Sequence, residues 1–176
     1  MNLPQRTKDN LERSSTEFKA LSSGGNFIPK DNYHLTLHFL GEVAPSDLTF
    51  IQSAMDGVKD LPAPELAVSQ FTVLRASDVV CAKLRQSKAL TALHDELGQR
   101  LEQHGFEVEH RAYRPHVSLI SKKSFTLPFS EVTKSVEVYN MPFVATQLTL
   151  FESVFTPNGV TYRELYTVEL KPAENT

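Results

Sequence analysis

Hydrophobic side chains recur every three or four residues in three stretches of the chain. This spacing places them on one face of a helix, while polar side chains occupy the rest of its surface. Gly105 follows the last stretch, at a position where glycine commonly ends a helix, and a run of serines and glycines follows the first. The pattern predicts three helices and one break: helices over 4–21, 47–59 and 87–104, and a break over 22–26.

Strict alternation of apolar and polar side chains marks residues 33–40 as the clearest strand. Successive side chains of a strand point to opposite faces. The apolar set, which ends at Phe39, is therefore predicted to pack, and the two histidines and the threonine between them share the other face. Asn158 and Gly159 form a strong turn signal inside a hairpin. Further strands are predicted over 66–74, 79–84, 116–121, 147–155 and 160–170, with a polar loop over 122–134.

Strands and helices follow one another in a mixed order without regular strand–helix–strand alternation. That order predicts an α+β fold with antiparallel sheets. The chain has 176 residues, which fits one domain. No stretch is long and polar enough to be a linker, so the predicted domain spans 1–176.

Charge and cysteine content exclude several classes of protein. The formal net charge is −3, which excludes a generally basic nucleic-acid coat, and Cys81 is the only cysteine. A disulfide framework and a cysteine-rich zinc site are therefore excluded, and Cys81 is expected to be a buried small hydrophobe. No apolar run approaches the ~20 residues that cross a bilayer, and the chain starts without a hydrophobic leader. We expect a cytoplasmic protein with no membrane contact.

One short internal repeat carries the candidate chemistry. A tetrad of histidine, aliphatic residue, hydroxyl residue and leucine begins at His34 and again, about half a chain length later, at His116. On a strand, Thr36 and Ser118 share a face with their histidines, while the aliphatic residues point to the core. The two strands are thus expected to face each other across a cleft with approximate two-fold symmetry.

Two facing histidines suit phosphodiester cleavage. The reaction needs a base for the attacking oxygen and an acid for the departing oxygen, and imidazole can serve as either near neutral pH. Neighbouring hydroxyls can hydrogen-bond the non-bridging phosphate oxygens without a metal ion. A lone histidine in a strand is usually a polar surface residue, but a matching tetrad in each half is harder to dismiss. Spacing alone leaves open which histidine is the acid.

The residues around the tetrads resemble a known family. Residues 32–43 (NYHLTLHFLGEV) and 114–119 (RPHVSL) resemble the two signatures of the 2H phosphoesterase superfamily. Residues 152–165 look like the final hairpin of one branch, the bacterial RNA 2′,3′-cyclic phosphodiesterases, which are also described as 2′-5′ RNA ligases. The resemblance covers nearly the whole chain.

The resemblance implies both a fold and a reaction. The fold is bilobal α+β, with two antiparallel sheets in pseudo-two-fold symmetry around a central cleft and helices on the outside. The reaction opens a terminal 2′,3′-cyclic phosphate of RNA to a 2′-phosphomonoester, with reversible 2′-5′ ligation as a further activity. By position, His34 matches the proton donor and His116 the proton acceptor, and Thr36 and Ser118 match the phosphate-binding hydroxyls. The expected substrate is an RNA or nucleotide bearing the cyclic phosphate, acted on by a monomer without a cofactor or metal.

Two departures from the family pattern stand out. The branch often has arginine where this chain has Ser121, and an apolar strand that normally opens the family fold is absent before the first helix. In a strand continuing from His116, Ile120 and Lys122 would share the histidine's face, so Lys122 is predicted to bind the substrate phosphate. Lys123 would point away. The alternative is that the strand ends at Ser121 and both lysines are solvated.

Aromatic and metal-binding candidates complete the site. Phe39 and Tyr162 are candidates for stacking on a base, with a place in the core as the alternative. His34 and His38 have a spacing that can bind a metal on a helix. On a strand they lie roughly 13 Å apart, so no metal site is predicted, and His38 is expected to line the cleft or face solvent.

Two other functions stay open at this stage. One is an RNA-end-binding module that holds cyclic or phosphorylated ends without turnover, although pure binding would not need two titrating groups. The other is a 2H phosphodiesterase that acts on a different cyclic nucleotide.

Overall fold

The computed structural model describes residues 1–74 and 76–172. Within these residues four α-helices and eight strands follow one another in mixed order. The helices are α1 Gln5–Leu21, α2 Leu48–Asp56, α3 Lys88–Gln103 and α4 Phe129–Val132. The strands are β1 Ser22–Phe27, β2 Glu65–Leu66, β3 Val68–Leu74, β4 Val79–Leu84, β5 His116–Phe125, β6 Phe143–Val144, β7 Gln147–Thr156 and β8 Gly159–Glu169.

Every pairing between two of these strands is antiparallel. Four strands form one sheet in the order β1-β5-β4-β3, β7 pairs with β8 in a long hairpin, and β2 pairs with β6. This arrangement confirms the predicted α+β fold with antiparallel sheets, and its two halves are consistent with a bilobal molecule.

Helix α1 covers one face of the four-stranded sheet. Phe18 is fully buried, with its ring centroid 4.9 Å from that of Phe71 on β3 and 6.1 Å from that of Phe125 on β5. The buried Ala82 and Val117 point to the same core from β4 and β5. The residues that alternate with them therefore project from the opposite face of the sheet.

Helices α2 and α3 pack in the other half of the molecule. Helix α2 contacts both α3 and β8, and the Tyr166 hydroxyl on β8 donates to Asp56 Oδ1 at 2.7 Å. Ser87 caps α3, as its side chain accepts a hydrogen bond from the Leu90 amide. Gly105 has φ +86°, which confirms it as the glycine that ends this helix.

Residues 33–40 do not form a regular strand, so the prediction of a strand there is wrong. Tyr33, Leu35 and Leu37 are buried, as the alternation predicted. The backbone, however, pairs with residues 1–3 at a single bridge, Asn2 with His34, supported by hydrogen bonds between Met1 and Leu35. Helix α1 begins directly after this short segment, so the ladder cannot continue beyond it.

Two expectations around the four-stranded sheet are also wrong. The serine–glycine run was predicted as a break but forms β1, the edge strand beside β5. Gly25 adopts φ +123° and passes close to the Lys122 carbonyl, where a Cβ atom would lie 3.3 Å from that oxygen. Strand β5 in turn extends to Phe125, into the stretch predicted as loop, because β1 satisfies its backbone groups.

The remaining strand predictions are confirmed within a residue or two, except that Leu66 belongs to the separate strand β2. The β7–β8 hairpin turns between Thr156 and Gly159. Cys81 is buried in β4, and burial raises the pKa of its thiol to about 11. Across residues 1–74 and 76–172, no helix combines the length and apolar character needed to cross a bilayer.

Candidate active site

The two tetrads come together between the halves of the molecule. His116 and Ser118 lie on β5, and His34 and Thr36 lie on the extended segment before α2. The Tyr113 hydroxyl donates to the Thr36 carbonyl at 2.9 Å, which joins the two segments directly. The charge of His116 is the smallest of the influences that lower the pKa of His34, which is consistent with a shared site.

Both histidines are anchored in the same way. His34 Nδ1 lies 2.7 Å from the Asn32 carbonyl oxygen, and His116 Nδ1 lies 2.7 Å from the Arg114 carbonyl oxygen. A carbonyl can only accept, so Nδ1 carries the proton in each ring and donates it. Nε2 of each ring is therefore left to accept a proton when neutral or to donate one when charged. This repeated anchor was not predicted from the sequence, because neither carbonyl is identifiable until the backbone is placed.

Burial lowers the pKa of His34. The hydrogen bond to the Asn32 carbonyl opposes this shift, while the charges of the Met1 amine, Lys8 and His116 add to it. A lowered pKa makes the protonated imidazole a stronger acid. Burial thus favours proton donation by His34 once it is charged.

Two aromatic side chains lie beside His34. The Tyr162 ring meets the His34 ring edge-on at 4.6 Å between centroids, and Phe151 lies 5.9 Å away. The Asn32 side chain donates to the Val160 carbonyl at 2.7 Å, which ties the histidine segment to β8. Tyr162 therefore lies next to His34, and its stacking on a base stays a prediction. Phe151 was missed, since only the register of β7 and β8 brings it to the same face.

Phe39 does not pack as the alternation predicted. Its side chain is 82% exposed, so its place on a buried apolar face is wrong. The strand ladder that would have held it against the core ends at His34. Its stacking on a substrate base stays a prediction.

The strand argument that selected Lys122 is wrong. Val80 pairs with Ile120 but Cys81 pairs with Ser118, so one residue of β5 bulges between these pairs. Ile120 is fully buried rather than on the face that carries His116 and Ser118. Lys122 itself has φ 49°, the left-handed region, which interrupts the alternation again. Its phosphate-binding role stays a prediction that no longer rests on strand alternation.

Lys122→Ala is expected to raise KM by about twofold at low ionic strength, which is the usual size of an exposed charge contact. The difference should shrink in high salt, because screening already weakens such a contact. Steady-state kinetics at two ionic strengths measure it. Lys123→Ala is the matched control, since Lys123 forms an ion pair with Asp78 at 2.8 Å. Equal KM values for Lys122→Ala and the parent in low salt would end the role of Lys122.

Three aromatic rings stack between the segment that follows the first tetrad and helix α3. His38 lies over His94 of α3 at 4.3 Å between centroids, and His94 lies over Tyr113 at 4.1 Å. His38 Nε2 is also 2.8 Å from the His94 carbonyl oxygen. His38 is therefore held against α3 and half-buried, and its lining of the cleft stays a prediction. Gly98 makes room for it, since a Cβ atom there would lie 3.0 Å from His38 Cε1.

Stability is expected to fall as the pH drops below about 6.5, the ordinary pKa of histidine. Burial lowers the pKa of both His34 and His38, so the unfolded chain binds more protons in this range and acid favours unfolding. Each histidine lowers the free energy of unfolding by less than the ceiling of about 1.4 kcal/mol per pH unit, because both side chains are partly exposed. Urea unfolding at pH 7.5 and 5.5 measures the effect. His38→Gln should reduce the loss, and a loss as large as that of the parent would contradict the assignment.

No metal centre is apparent in this region. Within the described ranges 1–74 and 76–172, no three His, Cys, Asp or Glu side chains are grouped so that they could hold a metal ion.

Comparison with known proteins supports the resemblance. The protein named RNA 2′,3′-cyclic phosphodiesterase from Thermotoga maritima is 24% identical over 81% of this chain and 78% of its own length. The protein of the same name from Escherichia coli is 28% identical over 80% of this chain and 77% of its own. The structure of E. coli LigT in apo form superposes with a TM-score of 0.79 at 22% identity, covering 97% of this chain and 94% of that one. LigT has also been solved in complex with 3′-AMP. Residues 7–154 match the 2′-5′ RNA ligase superfamily, and the chain belongs to that family.

Proposed function

We propose that this protein hydrolyses the terminal 2′,3′-cyclic phosphate of RNA to a 2′-phosphomonoester by acid–base catalysis with His34 and His116. The observation that carries the proposal is the matched anchoring of the two imidazoles. Each Nδ1 is held by a carbonyl two residues earlier, which leaves both Nε2 atoms for proton transfer.

The proposed reaction needs one proton to be removed and one to be supplied. His116 Nε2 takes a proton from water as the water oxygen attacks phosphorus. The bond from phosphorus to the 3′ oxygen breaks, and His34 Nε2 gives its proton to that oxygen. The product keeps the phosphate on the 2′ oxygen, and the two histidines end in exchanged protonation states. When a 5′ hydroxyl replaces water as the attacking nucleophile, the same displacement of the 3′ oxygen would form a 2′-5′ linkage.

The hydroxyls of Thr36 and Ser118 are proposed to hold the non-bridging phosphate oxygens. Each lies two residues after its histidine, and both side chains are accessible. Hydrogen bonds aimed at an oxyanion are strongest where charge develops in the transition state. The proposed substrate is an RNA end or a nucleotide, with Tyr162 beside the leaving group and available to a base. A single chain supplies both histidines, so the proposal requires only a monomer.

The proposed function is tested with 2′,3′-cyclic AMP in the presence of EDTA. Formation of 2′-AMP, followed by chromatography, is the expected result, and 3′-AMP as the product would contradict the proton assignments. Binding of 2′-AMP without any turnover of cyclic substrates would instead identify a non-catalytic RNA-end-binding module. A panel of the four cyclic mononucleotides and RNA oligonucleotides with cyclic ends separates RNA ends from other cyclic nucleotides as the preferred substrate.

A further inference from the structure

Lys83 occupies the strand position directly opposite His116. The two residues are Cα partners in the antiparallel pairing of β4 and β5. The next pair along is hydrogen-bonded, because the Leu84 amide donates to the Pro115 carbonyl at 2.9 Å. Hydrogen-bonded and non-hydrogen-bonded pairs alternate in such a ladder, so Lys83 and His116 form a non-hydrogen-bonded pair. Side chains are closest in pairs of this kind, with Cβ atoms about 4.5–5.5 Å apart.

Lys83 also projects from the sheet face that carries the candidate site. Its neighbours Ala82 and Leu84 are buried in the core, whereas Lys83 is exposed. Val117 is likewise buried, and His116 projects to the other side. Ser118 pairs with the residue two positions before Lys83, so it is the diagonal neighbour of Lys83 on this face. Lys83 thus lies beside the side chains of both His116 and Ser118.

The ammonium group of Lys83 has no partner among the residues that the structure describes. Within residues 1–74 and 76–172 it forms neither an ion pair nor a side-chain hydrogen bond. Two other cations of the chain are neutralised by carboxylates. Arg163 pairs with Glu152, and Lys123 pairs with Asp78. A cation that no carboxylate neutralises is available to an anionic ligand. Lys83 is such a cation, and it lies beside the proposed base.

We propose that Lys83 binds the phosphate of the substrate, with its ammonium group donating to a non-bridging oxygen on the His116 side of the cleft. This inference rests on the proposed function and assigns Lys83 as the positively charged group that binds the substrate phosphate. The phosphate gains negative charge as water attacks, and Thr36 and Ser118 offer only neutral donors. A charged donor strengthens the hydrogen bond to such an oxygen about twofold over a neutral one.

The test is Lys83→Gln, which keeps most of the side-chain length and removes the charge. The dissociation constant for inorganic phosphate, measured by titration calorimetry at low ionic strength, is expected to rise roughly 10-fold. KM for 2′,3′-cyclic AMP should rise by a similar factor. Both differences should shrink in high salt. Lys83→Arg should retain most of the affinity, because it retains the charge. Lys59→Gln is the matched control, since Lys59 is an exposed lysine in the turn that follows α2.

The outcomes separate this inference from the proposed function. If the parent turns over cyclic AMP and Lys83→Gln matches it in both phosphate affinity and KM, the role of Lys83 is overturned while the function stands. If the parent has no activity, the function fails, and phosphate titration still decides whether Lys83 binds the anion. Equal losses in Lys83→Gln and Lys59→Gln would also overturn the inference, because the effect would then be one of net charge.

Discussion

Alanine at His34 or at His116 is expected to lower kcat by roughly 10²–10⁴-fold, the usual contribution of a general acid or base. Each substitution removes one of the two Nε2 atoms that exchange protons with the reacting oxygens, while the carbonyl anchors at Asn32 and Arg114 stay in place. The measurement is initial-rate kinetics with 2′,3′-cyclic AMP at saturating concentration. Thr36→Val should cost less, because it removes a single hydrogen bond to phosphate.

The double variant sharpens this prediction. The two histidines act in one step, so the loss in the double variant should be much smaller than the product of the single losses. Circular dichroism and urea unfolding of each variant establish that the fold is retained. Turnover near that of the parent in either single variant would refute the two-histidine mechanism.

The second large effect is expected in the pH dependence. One histidine must be neutral and the other charged, so kcat/KM should follow a bell-shaped curve that falls about tenfold per pH unit on each limb. Burial lowers the pKa of His34, and its protonated fraction is therefore lost at lower pH than that of an ordinary histidine. The midpoint of the bell should accordingly lie at lower pH than for two histidines with ordinary pKa values.

Rates from pH 5 to 9 in buffers of constant ionic strength, with EDTA present throughout, measure this profile. His116→Ala serves as the control, because its residual activity should lose the limb that belongs to the base. A flat profile in the parent would contradict the mechanism. Strict dependence on an added divalent metal would assign the activity to different chemistry.

Local patterns in the sequence determined much of this protein. Helical spacing predicted α1, α2 and α3 because side chains three or four residues apart meet on one face whatever the rest of the fold does. The asparagine–glycine turn predicted the β7–β8 hairpin, since its backbone conformation depends on adjacent residues. The repeated tetrads, beginning at His34 and His116, also indicated the candidate site, because their chemistry and flanking residues are local.

Contacts between distant segments decided the rest. The glycines of β1 have little strand preference, and they form a strand only because β5 offers backbone partners. The bulge between Ser118 and Ile120 reversed the predicted alternation, since it depends on how β4 aligns with β5. That alignment also places Lys83 opposite His116, although the two are far apart in the sequence. Register is a property of two strands together, so one strand's sequence cannot specify which cation stands beside its histidine.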